Sequence, residues 1–477
     1  METAEHNFLK KSLRSIFLIL ALCSTLACQV VSRAFQPPAA PELKAASHTV
    51  AAPASPTAFF SETPVFTPTE PPTPIPLTPT PTRTGVPTVA VTPAPVPLRV
   101  YEDLWQTVLE NYLYSDFNGV DWNAVRGEYQ RKIEAGLTPE DFHAAMGEMI
   151  YELGDEHSTY LSPVDVSDEQ EEFAGEYDYI GIGVLTSTVP GHNRVTVIVV
   201  FPGSPAEEAG LQPHDSILAV EGLPVLEGDT DRRLLLRGEE GTSVTITVQT
   251  PGGEPRHVTL TRRRVLASVP VPYTLLESQA GKRIGYILIA TFADETIGEG
   301  VEQALKGLAA GGRLDGLILD NRQNTGGLDT VTRETLGYFT SGVVGHFTNR
   351  DGERPFKVIG RDVNGSLDVP LVVLVGQNTA SFGEIFSGIL KDIGRAKIVG
   401  DLTHGNVEIL WSYDFEDGSR VWLAHDTFRP LNSPGEDWEQ TGILPDVTVI
   451  ANWDEVTLET DPVVRSAQEL LEKGESR

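Results

Sequence analysis

The chain has 477 residues, enough for two or three domains with substantial cores, and its 36 basic against 67 acidic side chains give a formal charge of −31. With a pI near 4.6 it repels nucleic-acid phosphates and anionic membrane surfaces, so neither is an expected electrostatic partner. Both cysteines, Cys23 and Cys28, lie near the N-terminus, which leaves the rest of the chain without a disulfide or a thiolate metal site.

Lys10, Lys11 and Arg14 precede an apolar run from Ile16 to Ala27, the layout of a secretory signal and short for a membrane-spanning helix. Leu26-Ala27-Cys28-Gln29 resembles a bacterial lipoprotein cleavage site, although Thr25 stands where a leucine is usual. Cys28 is therefore the candidate lipidation residue, with ordinary signal cleavage or an uncleaved anchor as alternatives. Residues 1–28 are read as the signal and 29–97 as a tether, because Pro, Thr and Ala dominate that stretch, as in Thr78-Pro79-Thr80-Pro81-Thr82. Such a tract buries no core and favours extended polyproline-II segments. At roughly 3 Å per residue it spans over about 100 Å when fully extended. The expectation is a folded part outside the cytoplasm, held to the membrane by its N-terminal anchor.

Residues 98–170 read as a helical subdomain. Tyr101, Leu104, Val108, Leu109 and Tyr112 repeat at helical spacing, as do Phe142, Met146, Met149, Ile150 and Leu153. Thr138 and Pro139 open the second helix as cap and first residue, and Gly154 stops it. Immediately beyond lies Asp155-Glu156-His157-Ser158. A lone histidine after a helix is ordinarily a surface or hydrogen-bonding residue.

Residues 176–266 are β-rich. A strand is predicted over Val195 to Val200, then Ser204 and Pro205 start a very short helix that Gly210 ends. Asp215 to Glu221 and Ser243 to Gln249 read as strands, with Pro251-Gly252-Gly253 turning a hairpin. The order resembles a PDZ domain. That resemblance makes Ile180-Gly181-Ile182-Gly183 the loop whose amides receive a peptide's terminal carboxylate, with edge-strand addition supplying further affinity. The plainer alternative is a glycine-rich turn.

From 269 to 455 strands alternate with helices, which predicts an α/β core, followed by a C-terminal helix or tail over 456–477. The strand Gly316 to Leu319 runs into Asp320-Asn321-Arg322-Gln323-Asn324-Thr325-Gly326-Gly327. Paired glycines let a backbone approach a ligand and aim amides at it. The strand Leu371 to Val375 leads to Thr379-Ala380-Ser381-Phe382-Gly383-Glu384, with a helix predicted over Ile385 to Ile393. Ser381 thus sits at a strand-to-helix turn, with the Phe382 amide beside it as a possible oxyanion donor. The same letters also spell S-x-x-E, a helix capping box.

Together the two segments resemble the C-terminal processing (tail-specific) serine peptidases, whose hallmarks are an Asp-x-Arg-x-Asn-x-Gly-Gly loop and a Thr-Ala-Ser-x-x-Glu turn carrying the nucleophile. The resemblance runs from about Val100 to about Ile450 and implies a crotonase-like (ClpP-like) α/β core with an N-terminal helical subdomain and an inserted PDZ-like domain. It also implies Ser381 as nucleophile and Phe382, Gly326 and Gly327 as oxyanion donors. The family's lysine base is missing, because Gly400-Asp401-Leu402-Thr403-His404-Gly405-Asn406 puts Asn406 in its place. An amide takes no proton from a serine. A related branch, the tricorn core proteases, uses a histidine from the N-terminal helical segment and a glutamate before a Gly-x-x-Pro-Asp-like stretch. Similarity to that branch points to His157 as base and Glu439, ahead of Gly442, as its partner. Tricorn-type proteins carry a serine where this chain has Glu156, so the orienting role is open between Glu156 and Glu439.

The implied reaction is acyl transfer on unfolded or C-terminally tagged proteins, with no metal and no cofactor. It is expected to rise with pH through an unperturbed histidine near 6.5. Asn406 and Glu408 suit either a cleft-lining or a loop-stabilising role. The competing class is a turnover-less scaffold that recognises protein C-termini through its PDZ-like module.

Overall fold

The computed structural model describes residues 95–475 apart from 156, 177, 190, 191, 229, 267 and 279. Cys28, the signal, the tether up to residue 94 and Glu156 lie outside the described residues. No helix among the described residues is long and apolar enough to cross a membrane.

The core is built on a six-stranded sheet in the order Tyr273–Leu276, Ile284–Leu288, Gly316–Asp320, Leu371–Val375, Lys397–Gly400, Val447–Thr448. The first pair is antiparallel and the rest are parallel. Parallel strands covered on both faces read as unbroken apolar runs, which is why Leu371 to Val375 shows no polar alternation. Its period of two survives in the packing. Leu371, Val373 and Val375 join Leu317 and Leu319 in one cluster with Phe382, Ile385, Phe386 and Ile389 of the helix Phe382–Asp392. Val372 and Leu374 face the other way with Ile318, against Val463, Val464, Ala467 and Leu471 of the helix Pro462–Lys473. Each such fully buried side chain is worth about 1.5–3 kcal/mol.

A second sheet carries the short strand that follows His157. Thr159–Leu161, Arg420–Pro430, Gly342–Asn349 and Gly352–Val358 follow one another in it, with Ile409–Asp414 also paired to Arg420–Pro430. Thr159–Leu161 begins two residues after His157 and pairs with Arg420 to Trp422. Helices Val96–Asn111, Trp122–Glu134 and Pro139–Tyr151 share a cluster with Leu410 and Val421 to Ala424 of this sheet. The helical piece is thereby welded to the far end of the chain.

The PDZ-like domain has its own core, including Val195, Val197, Ile217, Val244, Ile246 and Val248. It also docks on the α/β core: Ile198 and Val199 join the cluster of Ile284 and Val372. The His214 ring stacks on Trp453 at 4.0 Å, and Arg194 Nε reaches Asp454 Oδ2 at 3.0 Å.

Candidate active site

Three loops converge at the strand ends. Ser381 occupies φ 51°, ψ −127°, a left-handed conformation that costs a non-glycine residue about 1–3 kcal/mol. The surroundings hold it there. Its N–H donates to the Asn406 carbonyl at 2.7 Å, Ala380 N–H donates to the Asn324 carbonyl at 3.1 Å, and the residue is 1% exposed. A strained serine between a parallel strand and a helix start matches the geometry of nucleophile elbows.

The capping-box alternative fails on this geometry. The Ser381 side chain makes no capping bond, and Glu384 turns away to the 403–408 loop. Its Oε1 accepts from Thr403 Oγ1 at 2.5 Å and Gly405 N–H at 2.8 Å, and its Oε2 from Asn406 N–H at 2.8 Å. Burial pushes the Glu384 carboxyl up to about 7, although these three donors pull it down. The helix also begins at Phe382, three residues before the sequence expectation.

The glycine loop lies against the serine. A Cβ on Gly326 would stand 2.7 Å from Ser381 Cβ and 3.0 Å from the Phe382 nitrogen. The Gly326 N–H already donates to Asn324 Oδ1 at 2.9 Å, so the two glycines are not equivalent as oxyanion donors. Asn324 in turn donates to Asn321, whose amide holds the Gly383 carbonyl and Ser387 hydroxyl, each at 2.8 Å. Arg322 is fixed below this loop by Asp320 and by Asp461 at 2.7 Å, and its guanidinium lies 5.0 Å from the Trp453 ring centre. The Asp-x-Arg-x-Asn-x-Gly-Gly pattern is thus a set of buried bonds that shape one loop.

The candidate base comes from the other end of the chain and is tied, through Glu439, to the 403–408 loop that also holds the Ser381 backbone. Asp155 Oδ1 accepts from the N–H of His157 at 3.1 Å and of Ser158 at 2.9 Å, forming the turn that presents the imidazole. His157 Nε2 meets Glu439 Oε1 at 2.5 Å, while Glu156, the other candidate for the orienting role, lies outside the described residues. Glu439 Oε2 accepts from Val407 N–H at 2.6 Å and Glu408 N–H at 3.0 Å. The 403–408 loop therefore ties both partners, with Asn406 bound to Ser381 and the next two residues bound to Glu439. Asn406 contributes here through its backbone.

Burial alone lowers the imidazole, but the Glu439 bond and charge, with Glu408 and Asp155, raise it to about 9. The value near 6.5 expected from sequence is corrected accordingly, because spacing carries no information on how many carboxylates surround the ring. Glu408 and Tyr114 are site residues whose meeting no local signal announces. Tyr114 Oη donates to Glu408 Oε1 in a short bond across 294 positions. One donor atom each from His157, Glu408 and Glu439 lies within 4.8 Å of the others. The 2.5 Å His157–Glu439 contact has hydrogen-bond length, whereas two ligands of one tetrahedral metal at about 2.1 Å stand roughly 3 Å or more apart.

In the PDZ domain, Asp178–Gly181 pairs with Arg263–Leu266, and Val184–Thr188 is the outer strand of its sheet. Between them Gly183 takes φ +82°, its carbonyl accepts from Phe201, and the Ile182 carbonyl accepts from Ala206. Burial raises the Tyr179 phenol, while Arg237 and the Val184 and Gly183 amides draw it back. The outer strand also touches the candidate active site, where Asn378 Nδ2 donates to Ser187 Oγ at 3.2 Å and Gln323 Oε1 at 2.8 Å.

Comparison with known proteins matches residues 283–449 to peptidase family S41, 97–151 to the tricorn protease C1 domain, and 196–250 to a PDZ domain. The chain is 32% identical over 378 residues to a carboxyl-terminal-processing protease of Synechocystis sp., covering 78% of this chain and 86% of that one. It is 30% identical over 362 residues to a chloroplastic carboxyl-terminal-processing peptidase 2 of Arabidopsis thaliana, covering 73% and 68%. Among solved structures, a photosystem II D1 C-terminal processing protease superposes with a TM-score of 0.56 at 28% identity, covering 80% of this chain and 98% of the other.

Proposed function

Since the chain belongs to the S41 family of serine peptidases and carries its PDZ domain, we propose that it is an active endopeptidase that uses a histidine where a lysine is missing. Ser381 attacks the scissile carbonyl, the electron pair of its oxygen forms the new C–O bond, and its proton passes to His157. With Nε2 turned to Glu439, Nδ1 is the nitrogen that accepts it. The carbonyl oxygen gains the displaced electron pair and is held by the Phe382 and Gly327 amides, with Gly326 shaping the loop. Collapse of the intermediate expels the amine, which takes the proton back from His157, and water repeats the sequence to release the acyl group. The observation that carries this reading is the His157–Glu439 bond, joined through the 403–408 loop to the Ser381 backbone.

The experiment is the pH dependence of Ser381 labelling by a fluorophosphonate, followed by cleavage of an unfolded protein. A base must be neutral to accept a proton, so both rates are expected to rise with pH and level off above about 9, where the imidazole loses its charge. Absence of labelling and cleavage at every pH favours the scaffold reading. A profile that levels off near 6.5 is incompatible with a base clasped by these carboxylates.

Substrates are unfolded or C-terminally tagged proteins, captured by Ile180-Gly181-Ile182-Gly183 and the outer strand Val184–Thr188. A peptide carboxylate reaching the Gly183 amide displaces the Tyr179 hydroxyl from it. Amidating the terminus of a test peptide is expected to weaken binding several-fold, measured by titration calorimetry on the Ser381→Ala chain. Equal affinity for acid and amide removes the carboxylate-capture idea. Outside the cytoplasm, lipidation of Cys28 would hold the enzyme at the membrane surface.

A further inference from the structure

Glu408 is 2% exposed, and the reaction proposed above gives it nothing to do. A buried carboxylate is costly unless it is paired or neutral, so its presence beside an imidazole calls for an account. Its Oε1 takes the Tyr114 hydroxyl, while its Oε2 is buried without a hydrogen-bond partner among the described residues. Its N–H is held by Glu439, and its carboxylate lies with the Glu439 carboxylate within 4.8 Å of His157. Two acids thus share one imidazole, with Asp155 a third acid on the histidine's own turn. Opposite charges within about 4–6 Å favour the charged form, and like charges at such range disfavour one of the two anions.

We propose that Glu408 is a positioning residue for the base: together with Tyr114 it sets the charge on His157, and so the pH range in which Ser381 can be deprotonated. This rests on His157 being the base. Among the described residues, the titratable groups acting on the imidazole are Glu439 before Gly442, Glu408 in the 403–408 loop, and Asp155. The Tyr114 hydroxyl acts on the imidazole through Glu408. When Glu408 is neutral, only Glu439 and Asp155 favour the imidazolium and the proton leaves more easily. When Glu408 is charged, the imidazolium is held more tightly and His157 is a stronger but less often available base. Burial and the Glu439 charge push the Glu408 carboxyl up to about 8, against the opposing pull of His157 and Tyr114, so the two groups titrate in the same range and as a unit.

The test follows the His157 ring resonance against pH in the full chain carrying Ser381→Ala, assigned by its loss in His157→Ala. Adding Glu408→Gln is expected to lower the midpoint by about one pH unit or more, and Glu408→Asp, which keeps the charge, by less. In the parent with Ser381 intact, the labelling profile is expected to move with it, and its high-pH plateau to fall because the base is weaker. A resonance midpoint unchanged by Glu408→Gln overturns the proposal, whatever the activity. A midpoint that moves while the labelling profile stays put upholds Glu408's hold on the imidazole and sinks His157 as the base. Should Glu408→Gln fail to fold, Tyr114→Phe replaces it. Losing that hydroxyl keeps Glu408 neutral to higher pH, so the midpoint falls in the same direction by a smaller step, and no movement overturns the proposal.

Discussion

Ser381→Ala and His157→Ala are each expected to lower kcat/KM on a denatured protein by at least about a thousandfold, because nucleophile and base act as one unit. The double variant should cost little more than either single change. Asn406→Ala is the informative contrast. In the place where the family's lysine would stand, this residue serves through its carbonyl to Ser381 N–H and its own N–H to Glu384, both kept by alanine. A loss within about tenfold is expected there, as no proton passes through an amide. If His157→Ala keeps nearly the full rate while Ser381→Ala abolishes it, the peptidase assignment stands and the base lies elsewhere.

Gly327→Ala should be nearly as damaging without removing any reacting group. Gly327 is buried at φ +145°, and a Cβ there would come within 2.0 Å of the Phe292 carbonyl carbon and 2.1 Å of the Ala293 nitrogen. Backbone cannot give way as a flexible side chain does, so the loop must shift from the bridge it makes with Phe292. Loss of one oxyanion donor typically costs about 10²–10³ in kcat. Overpacking a core adds roughly 1–3 kcal/mol of destabilisation. Single-turnover acylation rates together with thermal melting separate the two. A variant that acylates at the parental rate would show that Gly327 contributes no donor.

The sequence was most legible where local physics decides. Ser204 caps its helix by accepting from Glu207 N–H, Thr138 does the same from Asp141, and Ser243–Gln249 is a strand over the expected range. The apolar runs gave the parallel strands because both of their faces are covered. Ser381 could be placed at its turn, but the letters S-x-x-E could not show that Glu384 would fold outward to the 403–408 loop. His157 and Glu439 came only through resemblance, since nothing local joins residues 282 apart. Glu408 could be named only as a cleft-lining or loop-stabilising residue, and its meeting with Tyr114 was invisible for the same reason. The alkaline shift of the imidazole follows from how many carboxylates gather around it, which is a property of the assembled site.

The pairing of Thr159–Leu161 with Arg420–Pro430 carries a consequence for timing. His157 and Glu439 stand 282 positions apart, on either side of the strands that bring them together. Contacts of such long sequence separation close late, after the loop-closure entropy between them has been met by other folding. A chain emerging N-terminus first therefore completes the His157–Glu439 pair only once synthesis has passed Glu439. On the mechanism proposed above, a chain not yet extended past Glu439 lacks the partner of its base, so chain order postpones activity much as a removable inhibitory segment does in zymogens.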